Sequence, residues 1–103
     1  QYWDRWKADD IVNQSVANLL VDWTWGSGKH AIIIPQRILG VPADGVVGKV
    51  TINALNGANQ KDIYNKVWEA RKQFYYNIVK NNPSQAKWLK GWLNRLNDLK
   101  FSE

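Results

Sequence analysis

The 103-residue chain contains no cysteine and no methionine, and its only histidine is His30. The lack of cysteine excludes disulfides, thiolate metal sites and a cysteine nucleophile. With a single histidine, a histidine-based metal centre is not expected either, and we predict no metal ligands and no cofactor. Because the chain starts at Gln1 and carries no apolar leader, it is expected to be a fragment or a processed product.

Long apolar runs are also lacking. No segment approaches the ~18–20 apolar residues that a membrane-spanning helix requires, so no membrane span is predicted. The composition, 45% hydrophobic and 22% charged, is typical of a globular protein. At this length, residues 1–103 are expected to form one domain with one core.

Apolar residues recur at helical spacing along most of the chain, and no useful stretch alternates with period two. We therefore predict an all-α fold, a compact bundle of about four to five helices with a glycine-rich loop between two of them. Pro35 implies a kink or a helix start near Ile33. The predicted helices begin near Asp9 and Lys29, run over Lys49–Asn56 and about Gln60–Lys80, and resume after Pro83.

The glycine-rich loop lies in the stretch ILGVPADGVVGKVTINALNG, which holds four of the seven glycines. Asp44-Gly45 is a turn dipeptide, since the carboxylate accepts local N–H bonds and glycine adopts positive φ. Gly48 supplies a second flexible point where the next helix starts. The Thr51 hydroxyl is expected to bond back to the free N–H groups of that helix. Residues 26–58 thus form a predicted helix-loop-helix, followed by two long helices in 59–103.

This stretch resembles the peptidoglycan-binding-domain signature of bacterial and phage cell-wall enzymes. The matching residues are Leu39, Gly40, Val41, Asp44, Gly45, Gly48, Thr51, Ala54 and Leu55. The segments YWDRWKADDI, VANLLVDWTWGSG and RKQFYYNIVKNNPSQAKWLKGWLNRLNDL extend the similarity over almost the whole chain, to the later part of the glycoside hydrolase family 108 lysozymes, also called secretion-activator-like proteins.

The resemblance implies a peptidoglycan-binding module, the C-terminal portion of a lysozyme-like N-acetylmuramidase or endolysin. Family members carry their catalytic glutamate in an N-terminal E-G-G-Y/F-type motif, and this chain has no such segment. The fragment is therefore expected to be inactive, with no catalytic residue, although its parent is expected to be a muramidase. The implied location is the bacterial envelope or periplasm, or a phage-encoded lytic protein.

The carboxylates give little support for catalysis within the chain. Glycoside hydrolysis normally uses two carboxyl groups, one of them protonated near neutral pH. Of the two glutamates, Glu103 is terminal and Glu69 is spaced to pair with Lys66 and Lys72 on a helix surface. Asp22 lies late in a helix, where its charge opposes the helix dipole, so it is expected to pair with Arg5 or Lys29 or to face a ligand.

Seven tryptophans in 103 residues are the least ordinary feature of the composition. Their rings fill cores, and they also stack on sugar rings. Trp88 and Trp92 share a helix face and are expected to pack. Trp23 and Trp25 point in nearly opposite directions and cannot both enter one core, so one of them, with Trp3 or Trp6, is a candidate for an exposed, sugar-facing ring. Core packing remains the favoured alternative for each ring. The predicted binding residues are Trp23, Trp25, Asp44, Gly45, Gly48 and Thr51.

The formal net charge of +5 lies entirely in residues 59–103, which hold nine basic and four acidic side chains. Such a surface favours an anionic partner, here peptidoglycan or a related cell-wall polymer. The principal alternative is a nucleic-acid-binding helical domain, disfavoured because no recognition helix is evident. A muramidase that uses Asp22 or Glu69 and a structural domain that forms homo-oligomers through exposed aromatics are the remaining alternatives.

Overall fold

The computed structural model describes residues 6–7 and 10–101, and within them it contains helices and no strands. The all-α prediction is confirmed. A short 3₁₀ turn, Pro83–Gln85, connects the last two helices. The α-helices of this described part are α1 (Gln14–Ser27), α2 (His30–Leu39), α3 (Lys49–Gly57), α4 (Gln60–Asn81) and α5 (Ala86–Asp98).

Helix α1 begins later than predicted, because Asn13 caps it. The Asn13 side chain accepts a hydrogen bond of 3.0 Å from the N–H of Val16, which satisfies one of the free donors at the helix start. Asp9, where the helix was predicted to begin, lies outside the described residues. At the other end Gly28, with φ 59°, takes a conformation that other residues rarely adopt.

Helix α2 continues through Pro35 and ends at Gly40. Pro35 is buried inside the helix, which begins at His30, so the start near Lys29 is confirmed and the alternative start near Ile33 is excluded. Gly40 has φ 74° and donates to the carbonyl of Arg37 at 3.2 Å, while Val41 donates to the carbonyl of Gln36 at 3.1 Å. These two bonds form a Schellman cap, which turns the chain into the glycine-rich loop.

The core lies where α4 packs against the other four helices. Trp88 was expected to pack and is instead 53% exposed. Val50, in α3, is also exposed. Four polar side chains, Thr24, Gln36, Thr51 and Arg71, are buried with the apolar ones. The largest fully buried apolar residues are Trp6, Trp23, Leu19, Leu20, Ile32, Leu55 and Leu96.

Among the described residues, no helix is both long enough and apolar enough to span a bilayer.

Candidate functional site

The glycine-rich loop is held in place by one buried side chain, that of Gln36 in α2. Its Oε1 accepts a 3.0 Å hydrogen bond from the N–H of Gly45, and its Nε2 donates to the carbonyl of Val46 at 2.9 Å. Nε2 also lies 3.2 Å from Oδ1 of Asp44 and 3.1 Å from Oγ1 of Thr51. The amide of Gln36 therefore satisfies the backbone N–H of Gly45 and the backbone carbonyl of Val46, two polar groups of the loop that would otherwise need partners.

Asp44 and Gly45 form the turn that the sequence predicts. Oδ1 of Asp44 accepts a 3.0 Å bond from the N–H of Val46, two residues ahead. This bond, then the one from Gln36, lowers the pKa of Asp44 from its ordinary value. Gly45 has φ 77°, and a Cβ at this position would overlap the side chain of Lys29. The positive φ thus favours glycine in the turn, and any other residue would also displace the side chain of Lys29.

Of the predicted loop residues, only part can meet a ligand directly. Asp44 is exposed and Gly48 is half-buried, whereas Gly45 and Thr51 are buried. The Thr51 hydroxyl accepts from Gln36 and does not cap α3 with a side-chain bond, so the predicted role of this hydroxyl is wrong. The outer face of the loop is a shallow depression of about 230 Å³, lined by Pro42, Asp44, Val46, Gly48, Lys49, Val50 and Thr51.

A second cleft, of about 180 Å³, lies where α1, α4 and α5 meet. Its walls combine aromatic rings with charged groups. None of its lining residues belongs to the loop depression. The lining consists of Asp22, Trp25, Gly26, Ser27, Arg71, Tyr75, Ile78, Trp92 and Arg95.

Arg71 organises the inner wall of this cleft. It is only 2% exposed, and it donates from Nη1 to the Leu19 carbonyl at 3.2 Å and from Nε to the Tyr75 hydroxyl at 2.7 Å. Its Nη2 lies 2.5 Å from Oδ2 of Asp22. Each of the three guanidinium nitrogens thus has an acceptor, as a buried charge requires, because an unpaired buried charge is strongly destabilising.

Asp22 joins two arginines from different helices. Its Oδ1 accepts from Nη2 and Nε of Arg95, at 2.5 and 2.9 Å, while Oδ2 faces Arg71. The pairing that we expected with Lys29 is therefore replaced by Arg71 and Arg95, and Arg5 lies outside the described residues. No local pattern reveals these partners, since they are 49 and 73 residues away.

The arginines also decide the protonation state of Asp22. Burial raises the pKa of this carboxyl, but the hydrogen bonds from Arg95 and Arg71 outweigh burial, so the pKa lies below its ordinary value. The same pairing raises the pKa of Arg95. Asp22 is consequently ionised near neutral pH, and an ionised carboxylate cannot act as the general acid of glycoside hydrolysis.

The structure separates the predicted tryptophan pair. Trp23 is fully buried and meets Phe74 edge to face, with 5.8 Å between the ring centroids, so it has no face that a ligand can reach. Trp25 is 60% exposed, and the guanidinium of Arg95 lies 5.0 Å from its ring centroid. Trp6 is buried and donates to Thr24, which excludes it as a surface ring, and Trp3 lies outside the described residues.

Metal binding and a catalytic role for Glu69 receive little support from residues 6–7 and 10–101. They contain no cluster of three or more His, Asp or Glu side chains that would hold a metal ion. Glu69 is exposed on α4, and its expected partner Lys72 lies instead over the ring of Trp68, 5.6 Å from the centroid.

The family comparison identifies the class of domain. A family model described as "Predicted Peptidoglycan domain" matches residues 30–97. The match covers well over half of the chain, and the chain belongs to this family. It contains the Gln36-anchored loop together with Arg71, Trp92 and Arg95, whereas Asp22 and Trp25 precede it.

A solved structure is similar over nearly the whole chain. The structure of SagA from Brucella abortus matches with a TM-score of 0.81 and 27% sequence identity. The match covers 95% of this chain and 54% of the SagA chain, so this chain spans about half of that length. No curated protein matches.

Proposed function

We propose that this chain binds peptidoglycan and acts as the non-catalytic portion of a longer cell-wall lytic protein. The observation that carries the proposal is the match of residues 30–97 to the predicted peptidoglycan domain family. Two surfaces are available for the wall polymer: the face of the loop around Asp44 and Gly48, and the cleft at Trp25. Gly45 and Thr51 are buried beneath the first surface and hold the loop in place. Trp23 packs in the core and anchors α1, the helix that carries Trp25.

Co-sedimentation with purified sacculi tests this function. The protein is expected in the pellet at low and at moderate salt, and it should stay in solution once the sacculi have been digested to soluble fragments. Recovery in the supernatant under both salt conditions would overturn the proposal. A binding module of this kind belongs at the cell wall, in the bacterial envelope or periplasm or in a phage lytic protein.

The parent protein is proposed to be a lysozyme-like muramidase of glycoside hydrolase family 108. The resemblance of the whole chain to the later part of those enzymes supports this, and so does the SagA match over about half of that chain. The isolated chain should leave the turbidity of a cell-wall suspension unchanged. Clearing of the suspension, abolished by Asp22→Asn or Glu69→Gln, would instead show an active enzyme. A reading frame upstream of Gln1 without an E-G-G-Y-type motif would contradict the family proposal.

Nucleic-acid binding is the alternative that the basic residues of 59–103 favour. One of these residues, Arg71, is buried and paired with Asp22, so it is not available to phosphates. If nucleic acid were the partner, affinity would fall steeply as salt rises, and the sacculi would not retain the protein. Self-association through Trp25 and Trp88 is checked by sedimentation velocity at several protein concentrations.

A further inference from the structure

We propose that the cleft at Trp25 binds one neutral N-acetylhexosamine ring of the glycan strand, with the ring stacked on Trp25 and held by Arg95 and Asp22. This inference rests on the proposed peptidoglycan binding and deepens it, because it assigns the ligand to the glycan and not to the stem peptide. It also places the sugar site at the junction of α1, α4 and α5, away from the glycine-rich loop.

The stacking surface is an aromatic plane held at the rim of the cleft. Trp25 is 60% exposed, a large apolar area to leave in water, and an indole presents a flat face to the C–H groups of a sugar. Arg95 lies over the ring at 5.0 Å and is itself fixed by Asp22. A ring that is already positioned loses less conformational entropy on binding than a free one.

Arg95 and Asp22, at the rim of the cleft, can still form hydrogen bonds to the hydroxyl groups of a sugar. Arg95 has five N–H donors, and its two bonds to Asp22 use one on Nε and one on Nη2, so the two on Nη1 have no acceptor within the described part of the chain. Among residues 6–7 and 10–101, Oδ2 of Asp22 accepts only from Arg71, whereas a carboxylate oxygen has two lone pairs. The rim thus offers a donor and an acceptor side by side, which matches a sugar hydroxyl that both accepts and donates.

The charge balance favours a neutral ligand over an acidic one. Asp22 already occupies the position between Arg71 and Arg95 that a ligand carboxylate would take. The carboxylate of a stem peptide would have to displace it or approach its negative charge, at a cost that a neutral sugar does not incur. The volume of about 180 Å³ is also below the roughly 300–1,000 Å³ of pockets that enclose drug-sized ligands, so one ring fits better than a peptide.

Titration with an N-acetylglucosamine tetramer, followed through the indole N–H resonances in ¹⁵N-labelled protein, tests the assignment. The Trp25 resonance is expected to shift, and Trp25→Ala should weaken the affinity about tenfold or more. Trp88→Ala is the matched control, because Trp88 is similarly exposed at 53%, also lies against a cation, with Lys87 at 5.2 Å, and lines neither of the two clefts described above. Its affinity should remain that of the wild type.

Several outcomes would overturn the proposal. These are equal effects of the two variants, no effect of either, or a Trp25 shift produced by a soluble carboxylate-bearing stem peptide and not by the tetramer. Trp25 is mostly outside the core, and thermal melts of both variants show whether the fold persists. If the wild type fails to sediment with sacculi, the proposed function itself is wrong. If it sediments and Trp25→Ala sediments equally, only the sugar site is wrong.

Discussion

The glycine-rich loop and the Trp25 cleft are each organised by one buried polar side chain, but the two side chains do different work. Gln36 is neutral, and its hydrogen bonds go to backbone and side-chain groups of the glycine-rich loop and the start of α3. Arg71 is charged, and it ties α4 to α1 through Asp22 and the Leu19 carbonyl. Gln36 therefore fixes the backbone conformation of the loop. Arg71 instead positions Asp22, whose carboxylate can still accept a hydrogen bond from a ligand at the rim of the cleft.

This difference separates a structural motif from a candidate binding site. The loop carries most of the family signature, yet two of its signature residues, Gly45 and Thr51, are buried against Gln36 and serve the fold. The cleft contains aromatic ring faces and polar atoms that can still form hydrogen bonds, and these are the features of ligand-binding sites. A signature residue therefore marks the domain without necessarily touching what the domain binds.

The largest effect is expected from Arg71→Met, which removes the buried charge and leaves Asp22 with one arginine. Breaking a buried ion pair from one side costs about 3 kcal/mol or more in unfolding free energy. Urea denaturation measures the change. The double variant Asp22→Asn/Arg71→Met should recover part of the loss, since it leaves no carboxylate short of a partner. A loss below about 1 kcal/mol in the single variant would show that the cleft wall does not depend on Arg71.

Gln36→Leu should come next, with a loss of about 2 kcal/mol, because the N–H of Gly45 and the carbonyl of Val46 lose their partners. Thr51→Val is the control: it removes one of three acceptors that share the two hydrogens of Nε2, so a loss of about 1 kcal/mol or less is expected. The same urea titration compares them. Equal losses in the two variants would mean that the loop is not held chiefly by Gln36.

Gly45→Ala is expected to cost about 1–2 kcal/mol, because φ at this residue is 77° and an L side chain is strained there. Gly91→Ala is a matched change in the interior of α5, where an added Cβ meets nothing within 4 Å. It should stabilise the protein by up to about 1 kcal/mol. Thermal melts of both variants give the sign of each change, and a Gly45→Ala protein as stable as the wild type would refute the requirement for glycine.

The smallest effect concerns the pH dependence of stability, to which each region contributes one carboxylate with a lowered pKa. The folded pKa of Asp22 lies below its unfolded value near 3.8, so its ion pairs stabilise the fold above that value and the stabilisation is lost as pH falls through the folded pKa. The stability difference between the wild type and Asp22→Asn should therefore shrink between about pH 5 and pH 2. Asp44→Asn should show the same direction, since the pKa of Asp44 is also lowered. A difference for Asp22→Asn that does not change with pH would contradict the ion-pair account.

The sequence alone determined the helical class, the position of the long helix α4 and the Asp44-Gly45 turn. These features depend on local periods and on the φ preference of glycine, which a stretch of chain expresses wherever it lies. The family signature likewise lies within one continuous stretch, so the peptidoglycan-domain assignment was accessible before any fold was known.

Only the tertiary structure decided which polar residues are buried and which tryptophan faces water. Arg71 and Gln36 look like ordinary surface residues of amphipathic helices, and their partners come from other helices or from across the loop. Trp23 and Trp25 point opposite ways in any helix, but the packing of α1 against α4 selects Trp23 for the core. Sequence periodicity gives the relative directions of side chains, whereas burial depends on the position of every other helix.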